Sequence, residues 1–99
     1  MKTKRESYAD KNLAKLGFTK LCDDEHVVRY KRYNETHGYT QILEIVYKHD
    51  GRHTACSYAE KEYCYSETGA ITGNCSVSMT TKELKCLAHK MKEKGWVSE

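Results

Sequence analysis

Apolar residues recur along this chain with two different periods, and the change of period divides it into helices and strands. Ala9, Leu13 and Leu16 repeat at helical spacing. Two capping signals compete to open that segment, Thr3 with Glu6 and Ser7 with Asp10. Gly17 is placed to end it, with Phe18 folding back toward Leu13. From Phe18 to Glu62 the period falls to two. Short strands are predicted over Phe18–Leu21 and His26–Tyr33, the latter with Val28, Tyr30 and Arg32 on one face and Val27, Arg29, Lys31 and Tyr33 on the other. Tyr39–Lys48 alternates most clearly, and aliphatic residues on both of its faces predict a central strand. Asp50-Gly51 marks a hairpin turn leading to a fourth strand over Thr54–Glu62.

The helical period returns at the end. Thr80 and Glu83 have capping-box spacing, Met79 and Leu84 the spacing of a hydrophobic staple, and Gly95-Trp96 a helix stop. Leu84, Leu87, Ala88 and Met91 form the predicted apolar stripe, with Cys86 and His89 expected on the outward face. Residues 64–74 read as a loop, and Cys75–Ser78 as a last short strand. Short turns favour an antiparallel meander. The predicted fold is therefore α+β, order α-β-β-β-β-(β)-α: a four- to five-stranded antiparallel sheet with the C-terminal helix packed on one face.

Composition narrows the classes. Ninety-nine residues suffice for one domain, 1–99, burying about 60–65 % of its unfolded surface. A charged fraction of 31 % and mean hydropathy of −0.84 exclude a membrane span and predict a soluble chain. No apolar segment follows MKTKRES, so an export signal is not expected. Five cysteines, an odd number without a CxxC pair, fit reduced thiols and a cytoplasmic location. The net charge of +3 permits an acidic or nucleic-acid partner without requiring one.

Candidate chemistry is sparse. His49/His53, Cys22/His26 and Cys86/His89 are the closest metal-ligand pairings, and none has the second half that a structural zinc site uses. Cys86 and His89 lie within reach of each other, but a polar helix face offers no oxyanion hole or pocket, and no nucleophile elbow, zinc-protease helix or phosphate-cradling loop occurs. The expectation is no catalytic residue, no metal and no cofactor. What remains is recognition. Arg29, Lys31 and Tyr33 share a strand face suited to phosphates and a stacked base. Eight tyrosines exceed the needs of one small core, and Tyr33, Tyr63 and Tyr65 beside turns and loops have the composition of protein interfaces.

Leu16-Gly17-Phe18, Gly38-Tyr39-Thr40-Gln41 with the strand that follows, Lys48, His53, Ser57-Tyr58, Met79 to Lys85 and Lys90 to Trp96 together give the chain a resemblance. It resembles small uncharacterised proteins encoded by phages and prophages of Gram-positive bacteria. In that group a glycine- and asparagine-rich turn often precedes the last strand; here Glu67–Asn74 is longer and less similar. The resemblance implies a mobile-element setting in the host cytoplasm, where small accessory proteins bind and block host proteins, CRISPR and other defence complexes among them. The leading expectation is therefore an inhibitor that binds a host protein, as monomer or homodimer. The alternatives are nucleic-acid binding through the Arg29/Lys31/Tyr33 face and, third, a zinc-stabilised interaction module.

Overall fold

A computed structural model describes residues 7–36, 38–59 and 76–97. Helix α1 spans Tyr8–Lys15, strands β1 to β4 span Thr19–Asp23, Val27–Asn34, Tyr39–Tyr47 and His53–Ala59, and helix α2 spans Thr81–Glu93. The strands form one antiparallel sheet in the order β1-β2-β3-β4, the meander that the short turns imply. Thr3, the rival cap, and Tyr63, Tyr65 and residues 60–75 lie outside the described residues.

Both helices carry the punctuation legible in the sequence. The Ser7 side chain accepts from Asp10 N at the start of α1, and Thr80 and Glu83 close a full capping box on α2. Each helix ends in a left-handed glycine, Gly17 at φ +97° and Gly95 at φ +79°. Beyond these, Phe18 N donates to Leu13 O and Trp96 N to Met91 O, both at 2.9 Å, the bond pattern of a Schellman stop. The Trp96 ring then reaches the sheet and stacks on Tyr47 at 5.3 Å.

The core lies between the helices and one face of the sheet. Val28, Tyr30, Leu43 and Ile45 meet Leu13 of α1, Phe18 beyond it, and Cys86, Leu87 and Met91 of α2. Register places Val28 beside Ile45 and Tyr30 beside Leu43, so the face predicted for β2 is the one buried. The opposite face carries a transverse row in which Cys22, Arg29, Glu44 and Cys56 are successive register partners. Ile42 belongs to that face and is buried as well.

Three expectations need correction. Helix α2 is rotated from the predicted stripe: Leu84 is 52 % exposed and Ala88 is exposed, while Glu83, Cys86, Leu87, Lys90 and Met91 face inward. An apolar count misses this because two of the inward positions are charged residues whose partners wait beneath them. Leu84 is for the same reason not buried as one half of a staple, although Met79 packs against the core. Among the described residues the last strand is reduced to one bridge, Tyr58 with Ser76, supported by Val77 N donating to Ser57 O. The first strand begins and ends later than predicted and carries a bulge between Lys20 and Cys22.

Candidate functional site

Most charged groups under the helices are committed to holding them in place. Lys90 is 4 % exposed, and its ammonium lies 3.2 Å from Asp10 Oδ1 and 3.1 Å from Asp23 Oδ2. Lys20 bridges the same two carboxylates at 2.8 and 2.9 Å, Lys94 adds a contact to Asp23 at 2.5 Å, and Tyr30 Oη donates to Asp10 at 2.5 Å. One cluster thus ties α1, β1, β2 and α2 together. Burial works against the charge of Asp23, but hydrogen bonds from Lys94, Lys20 and Lys90 outweigh it and hold the carboxyl well below the usual range. Asp10 is lowered in the same sense, burial being outweighed by Lys20, Tyr30 and Lys90. Burial and the neighbouring Asp10 push the Tyr30 phenol far up.

A second cluster fixes the other end of α2. Arg32 donates to Leu16 O, Gln41 Oε1 and Glu83 Oε2 at 3.0, 2.8 and 3.0 Å, and its guanidinium lies over the Phe18 ring. Gln41 in turn donates to Ser57 Oγ at 2.8 Å. Glu83, 2 % exposed, therefore serves the cap and Arg32 at once. A polar hollow of about 470 Å³ lies beside this cluster, but Arg32, Gln41 and Glu83 on its wall are already bonded to one another.

Of the residues read as candidates from sequence, Arg29, Lys31 and Tyr33 share one sheet face, while Tyr63 and Tyr65 lie outside the described residues. Tyr33 is 59 % exposed and Lys31 is exposed. Arg29, however, gives Nε and a terminal nitrogen to Glu44 Oε2, both at 2.9 Å, so its charge is neutralised across the strands. Thiol chemistry is also subdued. Burial and the Glu44 carboxylate push the Cys56 thiol up, and burial with Glu83 does the same to Cys86, which is in the core rather than on the outward face expected for it. His26 and His49 stand edge to face at 5.5 Å. Among the described residues no three His, Cys, Asp or Glu side chains are grouped to hold a metal ion.

The feature that sequence reasoning missed is a groove of about 710 Å³ between the outer flanks of the two helices. Tyr8, Asn12, Lys15 and Leu16 form one wall, Lys82, Lys85, His89 and Lys92 the other. Cys86, Ala88 and Val97 complete the lining with apolar surface. The wall positions follow each helix at three- and four-residue steps, which is why they converge. Tyr8, 58 % exposed, and His89 bring their rings to 4.5 Å. Four lysines and no carboxylate line the groove among the described residues. The neighbouring Asp10 joins the Lys90 cluster, and Glu93 accepts from Ser7 Oγ at 2.6 Å at the start of α1 while its other carboxylate oxygen lies 3.6 Å from His89 on the groove wall. The spacing of Lys82, Lys85, His89 and Lys92 was visible in the sequence; that α1 would supply the facing wall was not.

Compared with known proteins, the chain matches no family model, no curated protein and no solved structure. The class that the fold defines is a two-layer α+β domain with both helices over one face of an antiparallel meander. No helix among the described residues is long and apolar enough to cross a membrane.

Proposed function

We propose that this protein is a non-enzymatic binding module that docks an acidic segment of another protein in the groove between α1 and α2. The observation that carries this reading is the groove's lining: an apolar floor, a tyrosine at the rim and four lysines with no carboxylate among the described residues. Uncompensated charge around a concave apolar surface steers an oppositely charged partner and gives its apolar side chains somewhere to go. The sheet face is the weaker candidate because Arg29 is bound to Glu44 there. Thiols held protonated at Cys56 and Cys86 favour recognition over nucleophilic chemistry. The resemblance to phage and prophage proteins supplies a setting: the partner is a host protein in the host cytoplasm, and occupancy inhibits it, a CRISPR or other defence complex being the first to try.

Immobilised protein, exposed to nuclease-treated host lysate, tests this against the alternatives. A specific protein should be retained by the native chain and by Lys31→Glu/Tyr33→Ala, and lost with Lys85→Glu/Lys92→Glu. Retention that disappears with nuclease and depends on Lys31 and Tyr33 would replace this reading with nucleic-acid binding through the sheet.

A further inference from the structure

Resting on that reading, we propose that the groove takes its partner as an amphipathic α-helix with an apolar stripe and acidic flanks, about three turns of which make contact. Both walls are helix flanks. Their backbone N–H and C=O groups are used within α1 and α2, so the groove offers side chains and no free ladder of backbone donors and acceptors. An extended peptide pressed onto this floor would bury its own amides without partners. A helix satisfies its backbone internally and presents only side chains.

Dimensions and spacing agree with a helical guest. Lys82 to Lys92 covers ten steps of α2, about 15 Å along the axis at 1.5 Å per residue. Lys82, Lys85, His89 and Lys92 on one side and Tyr8, Asn12 and Lys15 on the other repeat at the three- and four-residue intervals of an i, i+3, i+7 anchor set. The antiparallel arrangement of the walls follows from contacts at both ends: Ser7 reaches Glu93, while Arg32 joins the Leu16 carbonyl to Glu83. Two antiparallel helices with an apolar crease between them present the seat that a third helix fills in a bundle.

Charge selects the guest's flanks. Lys15 lies on one wall and Lys82, Lys85 and Lys92 lie on the other, so carboxylates on both sides of the apolar stripe are met by ammonium groups. The chain's own residues 1–6 hold Lys2, Lys4 and Arg5 against Glu6 and carry the wrong sign to compete.

The probe is a fluorescein-labelled, end-capped 18-residue peptide with Leu at i, i+3/i+4 and i+7 and Glu beside them, titrated into the full chain by anisotropy. Two control peptides carry Lys in place of Glu, or a central Pro that breaks the helix in an otherwise identical sequence. The acidic helix should bind, at least about tenfold more tightly than either control, with amide shifts at Tyr8, Lys15, His89 and Lys92. Lys85→Glu/Lys92→Glu should weaken it at least about tenfold. Lys31→Glu, an exposed charge reversal on the sheet face that the helices leave uncovered, should not. Equal binding of the Pro-interrupted peptide, equal binding of the basic peptide, or indifference to the lysine reversals would each overturn the proposal. If a host protein is lost on reversing Lys85 and Lys92 while the acidic helix fails to bind, the helical guest is wrong and protein binding stands. If neither responds to those lysines, both fall.

Discussion

Replacing Lys90 with methionine tests whether the charge cluster beneath the helices is what seats them. Methionine keeps the length and apolar stem of the side chain and removes only the ammonium. That ammonium lies 3.2 and 3.1 Å from the carboxylates of Asp10 and Asp23 and 3.8 Å from that of Glu93. At an effective dielectric of 20 each is worth about 5 kcal/mol of attraction, offset by several kcal/mol for taking the ion out of water. Deleting one partner of a buried pair costs about 3–5 kcal/mol because the other charges stay behind. Asp10 and Asp23 keep some solvent and retain Lys20, and Asp23 also retains Lys94, so the expected loss is about 2–3 kcal/mol. For a domain of this size that lowers Tm by roughly 10–20 °C.

The pH dependence separates charge from packing. Asp10 and Asp23 are depressed in the folded state, so their contribution is fully present above the unfolded value of 3.8 and is lost as pH falls through the lower folded values. In Lys90→Met the same carboxyls are less depressed and lose less. The difference between the two proteins should therefore narrow as pH drops below 3.8. Urea unfolding at fixed ionic strength, from pH 7 to pH 2.5, gives the comparison. A loss under 1 kcal/mol at pH 7, or a gap of constant size across the range, would refute the reasoning, the first denying the cluster its role and the second assigning it to packing.

Two further outcomes follow from local geometry. A Cβ at Gly17 would meet Arg32 Cδ at 3.1 Å, whereas at Gly95 nothing lies within 4 Å. Both replacements incur about 1–2 kcal/mol of left-handed strain, so Gly17→Ala should destabilise more than Gly95→Ala in thermal melts; the reverse order would contradict the described Arg32 packing. Cys56 is exposed, yet burial of its sulfur and the Glu44 carboxylate hold its thiol up. In a chain whose other four cysteines are serine, Glu44→Gln should accelerate its alkylation at pH 7.5, and an unchanged rate would remove Glu44 from that account.

Legibility in the sequence followed the range of the interaction. Thr80, Glu83, Gly17 and Gly95 act within one or two turns, and spacing alone places each; at the first helix spacing leaves Thr3 and Ser7 as rivals, and the structure has Ser7 as the cap. The alternation of β2 and β3 was also sufficient, since Val28, Tyr30, Leu43 and Ile45 bury the face it indicated. The rotation of α2 was not legible. Glu83 and Lys90 face the core because Arg32, Asp10 and Asp23 are there to receive them, and those partners are 51, 80 and 67 positions away. A lysine run on a helix likewise reads as a solvated face until another helix stands beside it.

Periodicity and capping chemistry by themselves determined the two helices, the four strands of the meander and the α+β class, because backbone hydrogen bonds and the burial of one face are local or pairwise requirements. Tertiary structure alone decided which charges are buried, that Arg29 is spent on Glu44, and that α1 and α2 leave a lysine-rimmed crease between them. Those outcomes depend on which side chains meet across the fold. Electrostatic energy is set by distance in space, and sequence separation does not give it.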